Sequence, residues 1–202
     1  MFDLSFLQIV SRAIATIVVL AVMGFAVAGF ARLLGDKGAG YDGKLTLNPL
    51  THIDIVGLAA GIVARTGWIR PIAIDPAQCR GGRAGPVLAA LAAMVAVWVF
   101  GRAVMLALPW IATSWPASSA AYAGATVREI ANTVAWTLAI NTIPVPPLLG
   151  GYLLQALAPG AHAWLVKRHL WVSLVLLVLI VLLYRSLPGT VLGNWAGVLG
   201  TR

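Results

Sequence analysis

Apolar positions along this chain fall in long blocks, and the polar positions collect in the breaks between them. Residues 6–34 form an almost unbroken apolar run that stops at Gly35-Asp36, a Gly-rich break that ends a helix. The pattern changes at 44–54, where Leu/Thr alternation followed by Asn48-Pro49 predicts a short strand and turn at the membrane surface. Residues 55–64 are apolar but number only ten, whereas a bilayer needs roughly 20. This predicts a re-entrant or half-buried hairpin, with a second short extended piece over 68–79. Further full spans are predicted over 85–108, closing at Pro109-Trp110, over 128–143, closing at Pro144, and over 169–184. Between them lie a charge-free loop over 111–126 and a short apolar piece over 148–157. A Gly-rich apolar tail, 188–202, is placed along the interface.

Composition agrees with this pattern. The 202 residues are 60% hydrophobic and 10% charged, against about 25% charged in a soluble domain. The fold class expected is therefore an all-α polytopic membrane protein with about four full transmembrane helices, a re-entrant hairpin and short cytoplasmic-side strands. The apolar stretch 13–31 exceeds the roughly 7–15 residues of a signal-peptide core, so a retained span is expected. The net charge of +8 comes from single, scattered basic residues rather than a stripe. That pattern points to topology signals and lipid headgroups, not nucleic acid. Lys37, Lys44, Arg65, Arg70, Arg80 and Arg83 all fall between the first two spans, which puts that region in the cytoplasm and both termini on the periplasmic side of the inner membrane.

The polar residues inside the spans are few. Arg12 and Arg32, near the ends of the first span, are expected to snorkel to headgroups. Arg102 lies deeper and Glu129 opens the third span, so an Arg102–Glu129 ion pair is a candidate. His162 and His169 could share a face, but a pair without a third ligand is a poor zinc site. Ser11 and Ser173 have no base visible beside them in sequence. Cys79 is the only cysteine, which excludes an intrachain disulfide and any cysteine-based metal cluster. Trp68, Trp110, Trp115, Trp164 and Trp195 fall where an aromatic belt would lie. Trp98 and Trp136 fall mid-span, so Trp98, Trp110, Trp115 and Trp136 are candidate partner contacts.

A more specific pattern lies in the breaks. Leu34-Gly35-Asp36, GKLTLNPLTHID over 43–54, Gly67-Trp68-Ile69-Arg70-Pro71, Arg83-Ala84-Gly85-Pro86 and NTIPVPPLLGG over 141–151 occur in that order. This closely resembles the compact bacterial branch of the site-2 proteases, which are intramembrane zinc metalloproteases. The resemblance covers about residues 10–158, taken as a membrane core over 1–158, with an additional C-terminal helix over 159–186 and a tail over 187–202.

The resemblance implies a His-Glu-x-x-His motif on the first core helix. Counting back from Gly35-Asp36, its two zinc-binding histidines fall on Met23 and Val27, and its general-base glutamate on Gly24. The third ligand, an aspartate, falls on Leu149. The asparagine thought to steady the reacting carbonyl falls on Ala89. Each replacement removes polarity, and catalytic zinc needs three protein ligands and a water site. The expectation is a pseudoprotease with no metal and no cofactor. It would serve as an accessory subunit of a larger inner-membrane complex, respiratory or photosynthetic, with lipids and other integral membrane subunits as partners. The alternatives are a regulatory pseudoprotease that binds client transmembrane helices beside 44–50, and, remotely, residual hydrolysis by His52, Asp54 or the terminal histidines.

Overall fold

A computed structural model describes residues 5–183. The tail expected at the interface, with Trp195, and the end of the last predicted span lie outside the described residues.

Helix α1 runs Phe6–Leu33 and opens with a reciprocal cap, in which the Ser5 hydroxyl accepts from Gln8 N–H and the Gln8 side chain accepts from Ser5 N–H. It ends where predicted. Gly35 takes φ +115°, and the buried Asp36 carboxylate accepts from Gly38 N–H at 2.7 Å and from Asp75 N–H at 2.9 Å. A short turn, α2 (Gly38–Tyr41), follows.

Residues 44–79 then make one excursion along α1. His52 lies over Gly24, and α3 (Ile55–Ala64), capped by Asp54, runs antiparallel to α1. Gly61 meets Thr16, and the last carbonyls of α3, Ile62 and Val63, reach Arg12. The chain reverses at Arg65, whose φ of +57° places it in the left-handed region. It then returns extended until Asp75 meets Asp36 at the other end of α1. Among the described residues the predicted strands do not form. Residues 49–51 are a single 3-10 turn, and one antiparallel bridge joins Ile53 to Ile69. The physical reason is that the extended segment finds its partners in side chains rather than in a neighbouring strand.

Helix α4 (Gly85–Met105) continues into α5 (Ala107–Ser114). Its buried stripe is Gly85, Ala89, Ala93, Val97 and Gly101, small residues at every fourth position that let α1 and α6 approach closely. A Cβ on Gly101 would stand 2.9 Å from Val134 on α6. Helix α6 (Ala117–Asn141) starts earlier than the sequence pattern predicts, because the Ala-rich stretch after Pro116 is itself helical. The charge-free 111–126 region is therefore mostly helix, not loop. Helices α7 (Gly151–Leu157), α8 (Pro159–Lys167) and α9 (His169–Leu183) complete the described chain, with α9 packed on α3.

By length and apolarity, Phe6–Leu33 and Gly82–Ser114 can cross a membrane. The pair α8 and α9, bent by 85°, adds a third if it is one span. Trp68 is not part of an aromatic belt: it is wholly buried, and its backbone lies so close to Gly57 that a Cβ there would meet the Trp68 carbonyl. Trp98, Trp110, Trp115 and Trp164 are exposed, while Trp136 is half-buried against the cluster around Ala60 and Ile140.

Candidate functional site

Four of the five positions singled out by motif register, Met23, Val27, Ala89 and Leu149, are buried and belong to one hydrophobic cluster. The fifth, Gly24, is buried beside them on α1. Their distance in sequence is closed by three elements. Helix α1 brings Met23, Gly24 and Val27; the small-residue stripe of α4 brings Ala89; the turn between α6 and α7 brings Leu149.

That turn is tied down by Asn141, the last residue of α6. Its side-chain carbonyl accepts from Leu149 N–H at 3.0 Å, and its amide donates to Gly67 O at 2.9 Å and Thr137 O at 2.8 Å. Its own backbone carbonyl accepts from Gly150 N–H at 2.7 Å. A single buried amide thus joins α6, the Leu149 turn and the extended segment. Asn141→Leu leaves two buried backbone groups, Leu149 N–H and Gly67 O, short of a partner, which is expected to cost about 2–4 kcal/mol. A fall in the thermal midpoint of purified protein checks this; an unchanged midpoint contradicts the role.

The extended segment draws on further side chains. Thr137 Oγ1 accepts from Gly67 N–H at 3.3 Å, Tyr152 Oη donates to Ile72 O at 2.7 Å, and Gln155 Nε2 donates to Ile74 O at 3.0 Å. Arg70 N–H donates to His52 O at 2.8 Å. Non-helical backbone inside an apolar fold requires such partners, and the sequence motifs around 141–155 supply them.

His52 occupies the space over Gly24. A Cβ at Gly24 would fall 2.2 Å from His52 Nδ1 and 2.3 Å from its Cγ. His52 Nε2 lies 2.8 Å from Thr46 O and must be the donor there. Nδ1 therefore carries the lone pair, and it is buried without a hydrogen-bond partner. Asp54 is committed to capping α3 through Val56 and Gly57 N–H, both at 2.9 Å. His162 lines a cleft beside α7, whereas His169 is exposed at the start of α9. Among the described residues no three His, Cys, Asp or Glu side chains converge as a metal site would require. Zinc does not fit the donor set at Met23, Val27 and Leu149: one thioether and two hydrocarbons offer no imidazole or carboxylate.

The ionic cluster differs from the expected one. Glu129 Oε1 accepts from Arg65 Nε at 2.7 Å, and Arg12 Nε lies 3.5 Å from the same oxygen. Glu129 is thus held by the two arginines at the α1–α3 end, while Arg102 stands on an exposed face of α4. Arg12 does not snorkel; it is 5% exposed and donates through Nη1 to Ile62 O at 3.1 Å and Val63 O at 3.0 Å. Those are terminal carbonyls of α3, where a cation is stabilised by the helix dipole. Arg32 is exposed, as expected. The apolar run before Arg65 gives no sign of its partner, because the contact joins residues 64 positions apart.

At the opposite end of α1, Asp75 is held below its ordinary carboxylate pKa by Ala77 N–H and the Gln78 side chain. Cys79 is buried, and its thiol pKa is pushed up first by burial and then by the charges of Asp36 and Asp75. Such a thiol is a poor nucleophile.

No protein-family model matches the chain, and no solved structure matches it. Among curated proteins it is similar to "Putative zinc metalloprotease YwhC" of Bacillus subtilis, at 28% identity over 172 residues. The match covers 83% of this chain and 78% of that protein. This likeness over most of the chain supports the site-2 protease resemblance.

Proposed function

We propose that this chain is a non-catalytic member of the site-2 protease family that serves as an accessory subunit of a larger bacterial inner-membrane assembly. The observation that carries the reading is the donor set. The positions where the resemblance places two histidines, an aspartate and an asparagine are Met23, Val27, Leu149 and Ala89, packed into one apolar core. Replacing polar groups that have lost their metal by hydrocarbon avoids leaving them unsatisfied away from water. An alternative mechanism can replace one missing group, but not the ligands, the base and the carbonyl donor together.

In this reading α1, the α4–α5 rod, α6 and the α8–α9 pair form four spans, and residues 44–79 form a re-entrant excursion in which α3 lies within the bilayer. Helix α6, the least apolar of these, is tolerated because Glu129 and Asn141 face partners inside the fold. The end of α1 that carries Lys37, Lys44, Arg80 and Arg83 faces the cytoplasm, and both termini face the periplasm. Arg65 lies instead at the Arg12 end, so it does not add to the cytoplasmic charge. Exposed Trp98, Trp110 and Trp115 are surfaces for partner subunits; Trp110 and Trp115 pack edge to face with ring centroids 5.9 Å apart.

Mild detergent extraction at native expression, followed by size fractionation and identification of co-purifying subunits, tests this function. A stable high-mass species with fixed stoichiometry is expected. Migration only as a free small protein, or stoichiometric zinc in the purified chain, would overturn it. A regulatory role toward client helices is the second reading, favoured by the exposure of Leu47 and Leu50 on the 44–54 segment. Crosslinking from Leu47 that captures a range of transmembrane segments would support that reading over a fixed assembly.

A further inference from the structure

A cleft of about 370 Å³ opens between the extended segment 69–74, the turn that carries Leu149, α7 and α8. This volume lies within the roughly 300–1,000 Å³ of small-molecule sites. Its inner wall is hydrocarbon, with Ile69, Ile72, Ile74, Leu148 and Leu149. Its α8 rim carries His162 and Lys167, and no acidic residue lines it. Gln155 Oε1 is buried on the wall without a hydrogen-bond partner, its amide nitrogen being engaged by Ile74 O.

The rim has the chemistry of a headgroup layer. Arg168 stacks 4.3 Å from the Trp164 ring, and both Trp164 and Trp171 are exposed on either side of the 85° bend between α8 and α9. Tryptophan and basic side chains together mark interface depth. The Gln155–Ile74 contact sets the cleft near the Asp36–Asp75 end of α1, the end that carries Lys37, Arg80 and Arg83. Basic residues at that end face the leaflet where anionic lipids provide the opposing charge.

We propose that this cleft is a lipid site: one acyl chain of an anionic glycerophospholipid lies along Ile72, Ile74 and Leu149, and its phosphate sits between His162 and Lys167. The hydrocarbon wall takes the chain, Lys167 selects the charge with His162 as a neutral hydrogen-bonding partner, and Gln155 Oε1 offers an acceptor to a headgroup hydroxyl. The site does not depend on the pseudoprotease reading; the choice of an anionic lipid rests on the rim charge and on the membrane orientation proposed above.

Native mass spectrometry of the delipidated full-length protein tests the site, with dioleoyl phosphatidylglycerol and dioleoyl phosphatidylcholine as probes of equal chain length. The expected result is one retained phosphatidylglycerol, preferred about fivefold or more over phosphatidylcholine, the factor that one juxtaposed basic residue supplies. Lys167→Glu is expected to abolish that preference, and Ala163→Trp, which fills the cleft from the exposed rim, to abolish retention of both lipids. Equal binding of the two lipids by the wild type, or an unaltered preference in Lys167→Glu, would overturn the proposal. Equal competition by glycerophosphoglycerol, which lacks acyl chains, would also overturn it by showing a free phosphate site. A photocrosslinker at Ala163 that captures protein instead of lipid in native membranes would show that a helix occupies the cleft.

Discussion

Glu129→Ala is expected to destabilise the protein by about 3–5 kcal/mol, the cost of removing one partner from a buried ion cluster. The effect comes mainly from what is left behind. Arg12 is 5% exposed, and without Glu129 it keeps only the Ile62 and Val63 carbonyls. Arg65 also loses its carboxylate partner, but it is about one-third exposed and can turn toward solvent. The two arginines should therefore differ in what their own removal does. Arg65→Ala is expected to cost about 1 kcal/mol or less, as for partly exposed pairs. Arg12→Ala also strips the α3 terminus of its donor and should cost more. Thermal unfolding of the purified variants in one detergent ranks them. A midpoint for Glu129→Ala within error of wild type would show that the cluster does not hold α1, α3 and α6 together.

Gly24→Glu, which restores the residue that the resembled proteases use as general base, is expected to prevent accumulation of folded protein. Two costs combine. A Cβ at this position falls 2.2 Å from His52 Nδ1, so the imidazole must leave its place against α1 and its bond to Thr46 O. The carboxylate would then be buried on α1 against the displaced His52, where Met23 and Val27 offer no zinc ligands to offset its charge. Gly24→Ala separates the two costs: it keeps the clash and omits the charge, for an expected loss of about 1–3 kcal/mol. His52→Ala on the Gly24→Ala background should recover part of that loss. Additive rather than compensating effects of the two substitutions would show that His52 does not pack on Gly24.

Much of the helical architecture is legible in the hydrophobic pattern. The first helix, its stop at Gly35-Asp36, the short apolar α3 and the break at the prolines after Asn141 all follow from composition and turn chemistry. The predicted strands are absent among the described residues for a physical reason. Leu/Thr alternation over 44–50 and the Ile-rich run over 69–74 do predict extended backbone, and the second is extended. Strand pairing, however, needs a neighbour at hydrogen-bonding distance. Here Asn141, Thr137, Tyr152 and Gln155 take that place from α6 and α7. The sequence predicts a shorter α6 because Arg128 and Glu129 look like a boundary, and only the contact with Arg65 shows that Glu129 is tolerated inside the fold.

The same division holds for the candidate site. Residue order and spacing alone single out Met23, Gly24, Val27, Ala89 and Leu149, and their identities alone say that imidazole and carboxylate are missing there. The tertiary structure decided that four of these side chains share one core, that His52 closes over Gly24, and that Arg12 is buried rather than at a headgroup. Motif register is a local property of the chain, carried by helix stops and turns. Convergence and burial depend on contacts between residues far apart in sequence, which packing alone brings together.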